Sequence, residues 1–483
     1  MNATVLPGAG RAVEKHPPAL PILFFTEMWE RFSYYGMRAL LVLYLVNALD
    51  YTRADALALY GIYTGLVYLT PIIGGYLADR FLGYRKAIMI GGIVMAMGHF
   101  AMAFPALLHL ALGLLIIGNG FFKPNISTLL GTLYREHDAR RDGGFTIFYM
   151  GINLGALASP LIAGTLGEKI GWHWGFASAG VGMLFAVSQF ALGQRTLGAA
   201  GLPAGKRELD ARDWLQVAAI GVLMVPLVYL VLGAWANVSE VWKIMPAEVK
   251  IAIPAMAFAG FFAWQRGSCS REEWRRLMAI VIMGVFVIFF WMGFEQAGGT
   301  MNLFADKLTE RSLFGWEIPA SYFQGINPLL IVLLGPLFSE MWTRWDRSRY
   351  ALSAPAKMGL GMIMLGAGFI VLAIAQTRAD VLGKVGAQWL ICAYFLHTVG
   401  ELCLSPIGLS MVTKLAPARL GAIMMGIWFG ATAVANYLAG TLESLLTGSQ
   451  IPLYWFLVGS SMGAGLLLLA ITPLLSRLMH GKG

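Results

Sequence analysis

Apolar stretches long enough to cross a lipid bilayer recur along almost the whole chain, which leaves few folds open to it. A spanning helix needs about 20 mostly apolar residues. Hydropathy and helix-breaking residues place such stretches near 22–49, 54–79, 86–104, 106–131, 143–167 and 172–194. Two more follow near 213–235 and 246–264, then six near 275–305, 319–343, 355–376, 386–413, 420–446 and 453–476. Charged residues make up only 13% of the 483, against about 25% in soluble domains. The expected class is therefore an all-α polytopic membrane protein with fourteen transmembrane helices, arranged as six, two and six. The domain reading is a disordered tail over 1–20, a six-helix bundle over 21–195, a linker with two extra helices over 196–273, and a second six-helix bundle over 274–483. The tail is rich in Pro and Gly and lacks a signal-cleavage pattern.

The net charge of +9 raises the question of a nucleic-acid partner, and its distribution answers it. If the N-terminus is cytoplasmic, the loops on that side hold 24 of the 35 Lys and Arg, including Arg80, Arg85, Lys86, Arg140, Arg141, Arg271, Arg344 and Arg347. The other side holds eight, and Arg31, Arg38 and Lys123 fall within the membrane. Such a bias fixes both termini on the cytoplasmic side and makes the positive charge a topology signal, with no nucleic acid implied. Cys269, Cys392 and Cys403 make no disulfide framework. The seven histidines are scattered with no His-Glu-x-x-His, so no metal site and no enzyme is expected.

Within the first span, Glu27-Met28-Trp29-Glu30-Arg31-Phe32-Ser33-Tyr34-Tyr35-Gly36-Met37-Arg38 carries four ionisable groups. At 100° per residue, Glu27, Glu30, Arg31, Tyr34, Tyr35 and Arg38 share an arc of about 140°. Each charge costs roughly 2.5–3.5 kcal/mol at a helix centre, so this face looks into protein or an aqueous cavity. It reads either as an ion-pair cluster locking two helices or as a proton and substrate site. Further along, Lys123 lies about nine residues, or roughly 13 Å, inside the helix end at Thr132, too deep for simple snorkelling. Asn153 and Asn327 are either interhelical hydrogen-bonding groups or amides free to donate and accept toward a cavity. Glu401 is an acid near mid-membrane, followed by Pro406 on the same helix, and such an acid is a functional candidate by default. His397, one turn earlier, reads best as a hydrogen-bonded packing residue.

The motif on the first helix, Glu-x-x-Glu-Arg followed by Phe-Ser-Tyr-Tyr-Gly-Met-Arg, resembles the proton-dependent oligopeptide transporter family of the major facilitator superfamily, in its bacterial form. Gly75-x-x-x-Asp79-Arg80-x-x-Gly83-Tyr84-Arg85-Lys86 is similar to the superfamily's cytoplasmic loop signature. The Lys123-Pro124-Asn125 and Phe148-Tyr149-x-x-x-Asn153-x-Gly155 segments are similar to the family's own. Trp291-Met292-Gly293-Phe294-Glu295 departs from members that have two adjacent acids there, and no histidine lies between His16 and His99, where animal relatives use one.

The resemblance implies a major facilitator fold of two bundles around a cavity open alternately to each side, importing di- and tripeptides together with protons. No cofactor is implied; the coupling ion is the proton, and the protein is expected to be a monomer in a bacterial inner membrane. Proton coupling falls to Glu27, Glu30 and Arg31. Substrate binding falls to Arg31, Tyr34, Tyr35, Arg38, Tyr68, Lys123, Asn153, Trp291, Glu295, Asn327, Glu401 and Trp428. Charge sign and depth further predict gates between the bundles, Arg38 with Glu295 outside and Lys123 with Glu401 inside. A small-anion transporter for nitrate and a peptide sensor without net transport are the alternatives.

Overall fold

A computed structural model describes residues 15–135, 138, 140–202, 215, 269–416 and 420–479. The first bundle comprises α1 (Leu20–Asn47), α2 (Arg53–Leu69), α3 (Pro71–Leu77), α4 (Gly83–Ala101), α5 (Leu108–Thr132), α6 (Arg141–Ser159) and α7 (Trp172–Gly193). The second comprises α8 (Arg271–Phe294), α9 (Thr300–Leu308), α10 (Ile326–Asp346), α11 (Ala354–Leu382), α12 (Gln388–Leu415), α13 (Gly421–Leu446) and α14 (Leu453–Leu478). Among the described residues, nine helical stretches are long and apolar enough to span a membrane. The pair expected over 213–264 lies almost wholly outside the described residues.

Local chemistry explains the helix boundaries. Pro21 sits in the first turn of α1, where its missing N–H costs nothing. Thr52 caps α2 by accepting from the Asp55 N–H. Ser270 and Glu273 form a reciprocal capping box at the start of α8. Gly83 takes φ 70° at the turn into α4, a conformation that favours glycine.

Two expected spans are interrupted. The stretch expected over 54–79 breaks at Thr70–Pro71 because proline supplies no N–H to carry α2 onward. The stretch expected over 275–305 is α8 ending at Phe294, a 3-10 turn Glu295–Gly298, and then α9. Gly298 and Gly299 end the regular ladder there, and Glu295 stands at the break. The stretch expected from 319 enters through a 3-10 turn, Ala320–Gly325. At the other end of the sequence, the part of the tail that is described lies against the protein: His16 hydrogen-bonds the Tyr134 hydroxyl at 3.0 Å, and Arg140 donates to the Lys15 carbonyl at 2.7 Å.

Within the first bundle α1 packs on α6 and α7, and α4 on α5; within the second, α11 packs on α12 and α14. Across the interface α2 lies against α13 and α6 against α10. The α2–α13 approach is close enough that a Cβ on Gly61 would sit 2.8 Å from the Gly440 Cα. At that end of the molecule a short hairpin, β1 (Ser312–Leu313) and β2 (Trp316–Glu317), turns through Phe314 and Gly315 at positive φ.

Candidate functional site

The two bundles enclose a chamber of about 190 Å³ at their interface. Its wall takes Tyr35 and Arg38 from α1, Tyr68 from α2 and Asn153 from α6, then Trp291 from α8, Glu295, Asn327 from α10 and Glu401 from α12. These eight are residues singled out in the sequence, and the fold brings them together. The chamber joins a wider vestibule of about 1070 Å³ through Tyr149, Asn153, Ile331, Glu401 and Ser405, which line both. The vestibule widens between Thr146, Asp346, Lys357 and Lys414, at the ends of α6, α10, α11 and α12. The molecule is thus open at the face where these helix ends lie.

The opposite face is sealed by contacts between the bundles. Arg38 pairs with Glu295, and its Nε donates to the Tyr60 hydroxyl at 2.6 Å. Arg53 meets Glu443 at 2.7 Å. The Glu168 carboxylate accepts from the backbone N–H groups of Ala320 at 2.7 Å and Ser321 at 2.9 Å. The Ala39 carbonyl accepts from Asn302 at 2.8 Å and from Gln324 at 3.4 Å. The expected outer gate, Arg38 with Glu295, is made.

A second ionic group lies behind the chamber wall. Arg31 donates to both oxygens of Glu30, at 2.5 and 2.6 Å, and its Nε lies 3.6 Å from Glu27. Lys123 bonds Glu27 Oε1. Both acids are fully buried, and Glu27 Oε2 has no hydrogen-bond partner. The guanidinium of Arg31 also lies 4.8 Å from the centre of the Tyr34 ring. With Lys123 supplied by α5, two cations and two carboxylates balance, which is how α1 carries its own three of these charges in a membrane.

Five assignments made from the sequence change. Arg31, Tyr34 and Lys123, expected on substrate, do not line the chamber in this conformation; Arg31 and Lys123 are held by the two acids behind it. The expected Lys123–Glu401 gate is not made, because the open vestibule separates the bundles there and Glu27 is the acid within reach of Lys123. Trp428 does not wall the chamber. It is buried over Gly408, whose missing side chain leaves the indole its slot: a Cβ there would lie 2.5 Å from the ring.

Asn327 Nδ2 donates to Glu401 Oε2 at 2.8 Å and to Thr398 at 3.0 Å. No cation among the described residues stands within ion-pairing distance of Glu401, which therefore faces the chamber as an unpaired acid. His397 packs its ring 4.6 Å from Phe369, and its Nε2 has no partner. The sequence reading missed Tyr60, Glu168 and Gln324. Nothing in the sequence separates Tyr60 from Tyr63 on the same helix, and Glu168 sits at a helix end where acids are ordinary; their pairings are made only by the fold.

Comparison with known proteins agrees with this architecture. The family model described as PTR2, POT family, matches residues 85–455. The chain is 37% identical over 509 residues to the peptide transporter YePEPT of Yersinia enterocolitica, covering 99% of this chain and 98% of that protein. It is 35% identical over 485 residues to a di-/tripeptide transporter of Lactococcus lactis, covering 96% of each. A crystal structure of a variant of peptide transporter POT in complex with alafosfalin has a TM-score of 0.85 at 37% identity, covering 98% of this chain and 97% of that one. A POT family transporter in complex with 5-aminolevulinic acid has a TM-score of 0.82 at 31% identity, with 95% and 97% covered. With the family model matching most of its length and relatives this similar end to end, the chain is a member of the POT family of transporters.

Proposed function

We propose that this protein is a symporter, not an enzyme, that imports di- and tripeptides with protons across a bacterial inner membrane, with both termini cytoplasmic. The excess of Lys and Arg in the loops at the open face supports that orientation; the conformation described is then the one open to the cytoplasm. The relatives named as peptide transporters support the substrate class.

The observation that carries the reading is the charge layout. A free peptide is a zwitterion with an ammonium, a carboxylate and one or two amides. Glu401 on the second bundle offers an unpaired acid for the ammonium. In the first bundle Arg38 and Arg31 are buried cations and Lys123 is a partly buried one, each held by an acid. Protonating Glu27, Glu30 or Glu295 releases its cation toward the substrate carboxylate. Asn153 and Asn327 supply amide groups, while Tyr35, Tyr68 and Trp291 give walls tolerant of varied side chains.

Alternating access follows from the same contacts. A peptide engaging both bundles favours closure of the vestibule, since only then are both termini satisfied. Opening the sealed face requires the Arg38–Glu295 pair to separate, which protonation of Glu295 eases. A nitrate carrier would have no use for an unpaired carboxylate in its binding chamber, where Glu401 would repel the cargo.

The test is internal acidification of proteoliposomes on addition of an inward dialanine gradient. Acidification that scales with dialanine supports symport. Peptide binding without proton movement favours a sensor, and acidification driven by nitrate but not dialanine overturns the peptide reading.

A further inference from the structure

The buried cation Arg38 has two different kinds of partner. Its Nη2 reaches Glu295 on the second bundle, while its Nε donates to Tyr60, which like Arg38 belongs to the first bundle. Tyr60 is 1% exposed and does not line the chamber, so substrate does not account for a hydroxyl at this position. Phenylalanine would fill nearly the same volume, and a buried hydroxyl is favourable only where it is hydrogen-bonded.

We propose that Tyr60 is the positioning residue of the interbundle pair, holding the Arg38 guanidinium aimed at Glu295 through the part of the cycle in which that pair is broken. The proposal rests on the symport reading for its role in transport, while its geometry stands independently. An arginine anchored at Nε keeps its Nη edge facing outward, so little side-chain freedom is lost each time the pair re-forms. Without the anchor, the sealed state leaves a buried Nε with no acceptor, and the open state leaves Arg38 to swing.

The second bundle is shaped to receive this hydroxyl. Gly298 lies three residues beyond Glu295, in the turn that interrupts the span. A Cβ built there would sit 1.9 Å from the Tyr60 hydroxyl oxygen and 3.1 Å from Arg38 Nε. Gly298 therefore leaves the space in which Tyr60 and Arg38 meet when the face is sealed, and any side chain there would push the hydroxyl off the guanidinium.

The experiment compares Tyr60→Phe, Gly298→Ala and the double variant, each purified and reconstituted. Gradient-driven dialanine uptake is expected to lose about tenfold or more in maximal rate, the fold-change of losing a hydrogen bond to a buried charge. KM should stay within about twofold, because neither Tyr60 nor Gly298 lines the chamber. The double variant should be little worse than either single variant, since both remove one contact.

A readout independent of transport uses a cysteine at Ala297 in a background without native cysteines, labelled by an impermeant maleimide added only at the sealed face. Labelling should rise severalfold in Tyr60→Phe and in Gly298→Ala. If wild type does not transport dialanine, the function reading fails while the labelling still tests the geometry. Unchanged maximal rate and labelling in Tyr60→Phe, or losses that multiply in the double variant, overturn the proposal. Should Tyr60→Phe fail to fold, Gly298→Ala decides between the same outcomes through the same two measurements.

Discussion

Glu168 offers a quantitative test of how the sealed face is held. Its carboxylate comes from the first bundle and caps the Ala320 and Ser321 N–H groups of the second, at 2.7 and 2.9 Å. Its side chain is 10% exposed. A hydrogen bond to a charged group contributes roughly 1.5–3 kcal/mol, but when the face opens, water replaces both bonds. The net preference for the sealed state is then closer to the roughly 0.5–2 kcal/mol measured for removing a helix N-cap. Arg311, 3.9 Å from Glu168, keeps Asp306 at 3.2 Å and Glu317 at 3.0 Å, so its charge is not stranded by the mutation. Glu168→Ala should therefore raise the ratio of outward-open to sealed molecules by about 2- to 30-fold, at about 1.4 kcal/mol per factor of ten. Glu168→Gln, which keeps an acceptor but loses the charge, should fall between. Spin labels at exposed Asp50 and Phe314, one on each bundle at that face, read the two populations as separate distances. An unaltered distribution in folded Glu168→Ala would refute the latch.

The other expectations concern coupling and recognition. Glu27→Gln or Glu30→Gln should abolish uphill dialanine accumulation and spare peptide exchange; full accumulation in both variants would remove these acids from the proton path. N-acetylation should weaken dialanine binding well over tenfold, since an unpaired buried charge costs roughly 2–5 kcal/mol, and Glu401→Ala should erase most of that penalty. Acetyl-dialanine binding wild type as tightly as dialanine would overturn the Glu401 assignment. Cysteines at 38 and 295 should crosslink in the conformation described here and those at 123 and 401 only in the opposite one; both crosslinking in a single state would contradict alternating gates.

The sequence was informative where a charge had to be explained against lipid. Glu27, Glu30, Arg31, Arg38, Lys123, Glu295 and Glu401 stand out because an ionisable group inside an apolar stretch is costly, and each finds a place in the chamber wall or the cluster behind it. Which of them pair was not legible, because it depends on conformation: Lys123 meets Glu27 here, and Glu401 waits on the other bundle. Trp428 misled because an aromatic on a polar helix face and one seated over a distant glycine look alike in sequence. Tyr60 and Glu168 escaped notice because one tyrosine of several on an apolar helix and an acid at a helix end cost nothing that would mark them. Interruptions within spans were also harder to see than the spans, since a turn such as Glu295–Gly298 changes hydropathy little.

The charges around the chamber also bear on how many protons accompany a peptide. Glu27, Glu30, Arg31 and Lys123 sum to zero, as do Arg38 and Glu295. Glu401, facing no cation among the described residues, leaves one negative charge. A zwitterionic peptide adds none, but its ammonium can satisfy Glu401 only if its carboxylate finds a cation in turn, and Arg31, Arg38 and Lys123 are each already held by an acid. One proton on one of those acids frees its cation and brings the occluded site to neutrality. Neutrality matters here because an uncompensated charge sealed away from water costs several kcal/mol. A neutral dipeptide should thus be carried with one proton, and an extra carboxylate in its side chain should require a second. Parallel measurement of proton and peptide fluxes for dialanine and alanyl-aspartate tests this; equal proton counts for the two would mean that the chamber does not enforce charge balance.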